Sequence, residues 1–422
     1  TAVQVALENN SSIAVERFEP ALRRADVQRE RGAFDPVFAA GVGRQSLGLA
    51  SGTTYSVALE HKLGFGATYG IEHTRGTDFL GQGASQTSLN LRVPLLRGSG
   101  AEVNRAGVNT ALGLLEVSEL ELEVTALDLA FEVETSYWAL VLAHRVAEVR
   151  IRAVEQAELF LEMLKTEIEL GAAAPYELYE AEQNLASRQA DVRAAEGEIA
   201  LARQRLLRLM GVQDADLVLS YELPTINLLA HEDYKNQALT RRPLLRAAEK
   251  DREILALQEK VARNQALPQL DLVASHNISG GGLNPYSWQA GVQLALPIGN
   301  HEGRGRVERA RAAQDQAAAN IEDLRQRVLL EVAQAYATVE SSALQTEAAR
   351  RAVASSEERV EAESERFSAG FSAAHRVILA QQQQLTINEE FVASQIRGQI
   401  AFVSLRRAAG TILEPLGKKS DE

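Results

Sequence analysis

Between Ser88 and Gly100 the chain reads SLNLRVPLLRGSG. Leu89, Leu91 and Val93 alternate with Ser88, Asn90 and Arg92 until Pro94 ends the pattern. A period of two is that of a strand with one apolar and one polar face. The same alternation sets Trp288, Ala290, Val292, Leu294 and Leu296 against Gln289, Gly291, Gln293 and Ala295. It recurs as Tyr55, Val57 and Leu59 against Ser56, Ala58 and Glu60, and as Ala67, Tyr69, Ile71 and His73 against Thr68, Gly70 and Glu72.

The remainder follows a helical period. Residues 1–33 and 232–266 are rich in Ala, Leu, Glu, Arg and Gln, and each stretch ends near a proline, which predicts two helices of about 30 residues. No proline interrupts 101–170 or 304–369, so each is predicted as one helix of roughly 100 Å. Val117, Leu120, Val124, Leu127 and Phe131 form a coiled-coil stripe, and Leu115, Leu122 and Leu129 form a second. Two seams on one helix call for neighbours on both sides. The returning helices, 175–210 and 373–411, are half as long, and each stacked end to end with its copy's first helix would match a long one. Such a wall of antiparallel helices can close into a cylinder, whereas a long coiled-coil rod is the alternative.

Order and spacing divide the chain into two copies of one unit. Ala6-Leu7 and Pro36 recur as Ala238-Leu239 and Pro268 at a spacing of 232. Pro94 recurs as Pro297 at 203, and Val133, Tyr137, Gly171 and Gly211 recur as Val332, Tyr336, Gly370 and Gly410 at 199. The first copy therefore carries 29 extra residues between Pro36 and Pro94, about one β-hairpin with its loops. The predicted organisation is repeat one at 1–211, with strands in 34–97, and repeat two at 232–413, with strands in 268–298. An equatorial connector spans 212–231 and a mobile tail spans 414–422. The stretch 226–234, with its loop-like Asn227 and His231, is a candidate for an equatorial belt.

Strands of about ten residues, parted by Gly, Ser, Thr and Asn loops such as 76–86 and 279–285, fit a membrane β-barrel with lipid outside and water inside. A water-soluble sheet packed on helices is the other reading of the same pattern. No run of 18 apolar residues offers a transmembrane helix, so entry into a bilayer would require a closed barrel. The chain starts at Thr1 with no signal peptide in view, and any such segment is expected to have been cut off or left out. Pro94, Gly98, Pro297 and Gly299 are the expected joints between barrel and helical wall, proline ending the ladder and glycine allowing the change of direction.

Composition narrows the chemistry. With 44 basic and 57 acidic residues the net charge is −13, which repels a nucleic-acid backbone. There is no cysteine, hence no disulfide, thiolate zinc site or cysteine nucleophile. None of the 7 histidines has a glutamate three residues before it, so the di-iron motif is missing. Phosphate-loop and nucleophile-elbow motifs are missing too, and no catalysis, metal or cofactor is expected.

The turns between long and short helices read ELGAAAP at 169–175 and SAGFSAA at 368–374. Gly171 and Gly370 suit left-handed C-cap positions, and Pro175 suits a first helical turn.

The duplicated plan resembles the TolC-like outer-membrane factor family over essentially all 422 residues. So do the Pro-Leu-Leu-Arg-Gly and Pro-Ile-Gly-Asn joints, and Arg366-Phe367-Ser368-Ala369-Gly370 ahead of a last helix ending Leu405-Arg406-Arg407-Ala408-Ala409-Gly410-Thr411. The resemblance implies an α+β, mainly α fold: a homotrimeric outer-membrane β-barrel continued by a long periplasmic α-helical barrel. It implies passive conduction for a tripartite efflux pump or type I secretion system, with a periplasmic adaptor linking the channel to an inner-membrane transporter. A coiled-coil periplasmic scaffold without a pore is the alternative function. Adaptor contacts are implied at Gly171, Ala172, Gly370, Phe371 and Ser372. The family's usual four strands per protomer are put in question by the 29 extra residues, which could add strands, lie above the barrel or form a surface hairpin.

Where the family typically places pore-facing carboxylates in the last helix, this chain has Arg376 and Leu379, and repeat one has Glu177 and Glu180. These four are the candidate constriction, either as a salt-bridged gate between Glu177 and Arg376 of neighbouring hairpins or as solvated helix-surface charges. His375 reads as a tip-surface residue. Phe367 and Ser372 stand where a tyrosine and an arginine can hold the tips closed in the type member, so any closed state here uses other contacts. Arg376 is expected to lower cation preference relative to a carboxylate-ringed relative.

Overall fold

The computed structural model describes residues 1–47, 50–77, 83–214, 217, 219–220, 222–280 and 286–414. The tips of the strand loops and all of the predicted tail but Glu414 lie outside the described residues. The chain divides into two compact units, one of residues 17–121 and 244–323 and the other of residues 1–16, 122–243 and 324–422. Helices α5 (Ala106–Glu169) and α9 (His301–Ser368) contribute to both.

The first unit is built on one antiparallel sheet in the order β1-β2-β3-β4-β5-β6. Its strands are β1 (Val37–Leu47), β2 (Ala50–Lys62), β3 (Thr68–Thr77), β4 (Gly83–Pro94), β5 (Gln269–Gly280) and β6 (Tyr286–Ala295). The 29 extra residues thus resolve into β2 and β3, hydrogen-bonded on both flanks, from Val37 opposite Glu60 to Thr68 opposite Arg92. They are an integral part of the sheet, neither lying above it nor forming a separate surface hairpin. The sheet is joined to helices α3 (Phe18–Arg31), α4 (Ala101–Asn104), α5, α8 (Pro243–Gln265) and α9. In this unit Val117 and Leu120 of the predicted stripe are buried against Ala247 and Ile254 of α8. Ion pairs Arg24–Glu119 at 3.0 Å and Lys250–Glu116 at 3.0 Å attach α3 and α8 to α5.

The second unit is helical. It holds α1 (Ala2–Asn9), α2 (Ser11–Glu16), α6 (Glu177–Met210), α7 (His231–Arg241), α10 (Ala374–Ala408), residues 122–169 of α5 and residues 324–368 of α9. Leu127 and Leu129, one from each predicted stripe, share a core with Val133, Leu140, Leu206, Ile396 and Val403. Leu140, Leu206 and Ile396 are essentially sealed from solvent, worth about 1.5–3 kcal/mol each. Arg406 reaches Glu134 at 3.2 Å and Arg407 reaches Asp128 at 2.8 Å, with the Arg407 guanidinium 5.0 Å from the Phe131 ring. Burial pushes the Glu134 carboxyl above the ordinary glutamate range, and Arg406 pulls part of that back.

Three predicted helices are interrupted. The 1–33 helix breaks at Asn10, whose backbone is extended and whose side chain accepts from Ser12 N and donates to Leu209 O at 2.8 Å, and again at Arg17. Such side-chain bonds offer the backbone an alternative to the helical ladder. The 232–266 helix breaks at Arg242, extended at φ −64° and ψ 118° because Pro243 follows. The 101–170 helix starts as α4 and kinks at Arg105 before α5. From there α5 runs for 64 residues and α9 for 68, roughly 96 Å and 102 Å at the helical rise.

Candidate functional site

The register fixes which side chains share a face of the sheet. Phe38, Leu59, Ile71, Leu89, His276 and Trp288 lie in one cross-strand row. With Val42, Tyr55, Val57, Leu91, Leu272, Tyr286, Val292 and Leu294 they make an apolar band across one face, with Arg44, Arg75 and Ser85 beyond it toward the strand loops. Trp288 is 78% exposed, Tyr286 68% and Leu294 64%. So large an open apolar surface belongs against lipid or another protein. Strands of 10 to 13 residues have the length that a tilted membrane strand needs.

The opposite face carries Ser56, Glu60, Glu72, Ser88, Asn90, Arg92, Asp271, Ser275, Asn277 and Gln289. Arg92 donates to Asp271 Oδ2 from Nε at 2.9 Å and Nη2 at 2.6 Å, and Gln269 Nε2 donates to the same oxygen at 2.7 Å. These bonds satisfy a carboxylate only 1% exposed. Glu60 and Glu72, both on the inserted hairpin, are exposed on this face.

Pro94 ends β4, and Gly98 and Gly299 have φ of +80° and +84°. Sequence reading missed the asparagines that fasten them. Asn264 Oδ1 accepts from Gly98 N at 2.7 Å, Asn104 Nδ2 donates to Gly98 O at 2.7 Å, and Asn300 Nδ2 donates to Ala266 O at 2.7 Å. The β2–β3 turn is tied to the same joint, Gly100 N donating to Phe65 O at 3.2 Å.

Both hairpin tips are closed by one motif. Gly171 has φ +74° and Gly370 +76°. Gly171 N donates to Ile168 O and Ala172 N to Glu167 O, while Gly370 N donates to Phe367 O and Phe371 N to Arg366 O. This paired ladder is the Schellman C-cap, and Gly211 and Gly410 repeat it at the other helix ends. Beneath the tips Phe160, Leu161, Leu164, Ala181, Phe367, Ala374 and Val377 form one core. The Phe160 and Phe367 rings lie 5.6 Å apart. Phe371 is 80% exposed, and Ala172 is exposed as well.

The four constriction candidates differ in environment. Glu177 is buried in the first turn of α6, whereas Glu180, Arg376 and Leu379 are exposed. Within the chain Arg376 lies in the field of Glu363. The Ser372 hydroxyl donates to the Glu363 carboxylate. That bond first, then Arg366, Arg376 and Arg359, holds the Glu363 carboxyl below the ordinary glutamate range. Higher in this unit Arg150 donates to Glu389 at 2.8 Å and to Asp191 O at 3.3 Å, linking α5, α6 and α10. Segment 219–228 binds Tyr137 through Ser220 and Gln399 through Pro224 O at 2.9 Å, and His231 opens α7 against the Tyr336 ring at 4.8 Å.

Among the described residues no His, Asp and Glu cluster could hold a metal, and no helix is long and apolar enough to cross a membrane. The outer membrane efflux protein family model matches residues 2–212 and 235–411. The chain belongs to that family. Its match divides at the boundary between the two repeats, and the family is one of outer-membrane channels. This family member is a protein of the outer membrane, its helical part in the periplasm. A membrane protein from Pseudomonas aeruginosa superimposes with a TM-score of 0.74 at 22% identity, over 97% of this chain and 92% of that one. The outer membrane protein VceC of Vibrio cholerae gives 0.72 at 18%, over 97% and 95%. The open state of the MtrE outer membrane channel of Neisseria gonorrhoeae gives 0.74 at 17%, over 98% and 88%. No curated protein matches the chain.

Proposed function

We propose that this protein is the exit duct of an efflux assembly, a homotrimer that conducts passively and catalyses nothing. The observation that carries the reading is the two-faced sheet. One side is apolar and open to lipid, the other is polar and lined by Glu60, Glu72 and Asn90, the arrangement of a water-filled membrane barrel. The tips at Gly171, Ala172, Gly370, Phe371 and Ser372 take the periplasmic adaptor, and Phe371 is the apolar knob it covers. The adaptor joins the duct to an inner-membrane transporter. Pump and adaptor select the cargo, small solutes in a tripartite pump or a polypeptide in type I secretion. The constriction is formed at Arg376, Leu379, Glu177 and Glu180.

A host strain lacking the protein is expected to accumulate the dyes its pump exports, and the native chain to restore their efflux. Phe371→Glu is expected to reach the membrane in normal amount and fail to restore it. Unchanged efflux in the deletion strain, or full rescue by Phe371→Glu, would contradict the duct or the docking role respectively.

A further inference from the structure

The sheet ends on two open edges. Each inner strand is hydrogen-bonded on both sides, whereas among the described residues β1 pairs with β2 alone and β6 with β5 alone. Edge N–H and C=O groups that lie in hydrocarbon find no water, and leaving them unpaired costs several kcal/mol each. Six strands are too few to close on themselves, since the smallest membrane barrels need about eight. Another chain must therefore complete the ladder.

The order of the strands identifies that chain. Consecutive strands alternate in direction and their number is even, so β1 and β6 run oppositely. When copies are related by rotation about the membrane normal, β6 of one copy and β1 of the next meet antiparallel, and the alternation continues unbroken around the ring. The apolar face continues too, with Phe38, Ala40 and Val42 at one edge and Trp288, Ala290 and Val292 at the other.

Nor is the inserted hairpin a plug or an outer flap. It is paired along both sides, it shares the apolar and polar faces of its neighbours, and its 63–67 turn is bonded into the Gly98–Gly100 joint.

We infer that copies of this chain join β6 to β1 and that each contributes all six strands, so that three copies make an eighteen-stranded barrel. The count of copies rests on the homotrimer proposed above, whereas the edge pairing rests on the sheet alone. With strands about 4.8 Å apart and tilted by about 40°, eighteen give a backbone diameter of roughly 36 Å. Four strands per copy would give twelve and roughly 24 Å at the same spacing and tilt. The inferred bore has about twice the cross-section of the narrower one, so the outer section of the duct is not its size filter and exclusion falls to the tips. The insertion also sets Glu60 and Glu72 of every copy on the barrel's inner face.

The natural lack of cysteine makes the test clean. Ala40→Cys in β1 would be combined in turn with Trp288→Cys, Ala290→Cys and Val292→Cys in β6, three lipid-face positions that cover the possible registers. Oxidation of the assembled protein in membranes is expected to link copies through at least one pair, in a ladder ending at three copies. Val57→Cys in the interior strand β2 combined with Ala290→Cys is expected to give none. Single-particle images should show a barrel about 1.5 times as wide as a twelve-stranded one. Links through Val57→Cys, or a barrel of twelve-stranded width, would overturn the inference. Links through β1 and β6 in a ring of other than three copies would leave the edge pairing standing and overturn the homotrimer instead.

Discussion

Glu363 shows how the tip departs from what its sequence announced. Reading the chain marked Phe367 and Ser372 as unable to make a phenolic or arginine contact, and both have another use. Phe367 packs on Phe160 in the tip core, and Ser372 donates to Glu363. Neither partner is visible to pattern reasoning, because Phe160 lies on a different hairpin and Glu363 is one of many carboxylates on a charged helix. The depressed carboxyl of Glu363 has a defined consequence. Its ionised form is favoured in the folded tip, so its contribution is fully present above the ordinary glutamate range and is lost as pH falls through the lowered folded value. Protection of the amides at residues 366–376, taken relative to their intrinsic exchange rates, is expected to fall on acidification, and Glu363→Gln to remove that dependence near the tip. An unaltered pH profile in Glu363→Gln would show that the Ser372–Glu363 bond does not hold the turn.

At the scale of elements, most of the architecture was legible because it depends on period. The alternating stretches became β2, β3, β4 and β6, and the proline-free stretches became α5 and α9. The glycines matched at a spacing of 199 share one left-handed conformation. Breaks at Asn10 and Arg105 were not legible, since nothing in a helical period marks a single side chain that bonds elsewhere or a one-residue kink. Pro243 was a local signal that outweighed the pattern. The joint was half legible: prolines and glycines announced it, while Asn104, Asn264 and Asn300 read as ordinary polar residues until their carbonyl and amide partners were seen. Gly66 belongs to this joint, with φ +104° and no room for a Cβ against the Gly98 carbonyl. Gly66→Ala should cost upwards of 1 kcal/mol from conformation alone and sharply lower the yield of assembled protein. Gly83→Ala, at an open position with ordinary backbone, should leave yield unchanged. Equal yields, measured as oligomer recovered from membranes, would mean that the β2–β3 turn is not held in the joint.

The whole molecule combines an amphipathic six-stranded sheet and helical hairpins with matching tips in one chain of the outer membrane efflux protein family. The number of copies is not a property of one chain's residues, so it was legible only through the resemblance; the open edges of the sheet call for a neighbouring chain without fixing how many. Conduction across a bilayer is the central claim, and single-channel recording of the purified oligomer in a planar lipid bilayer tests it most directly. Steady, discrete conductance steps are predicted, with a cation preference that rises in Arg376→Ala as the positive charge leaves the constriction. A correctly folded oligomer that inserts and passes no ions, as the native chain and as Arg376→Ala alike, would contradict the duct.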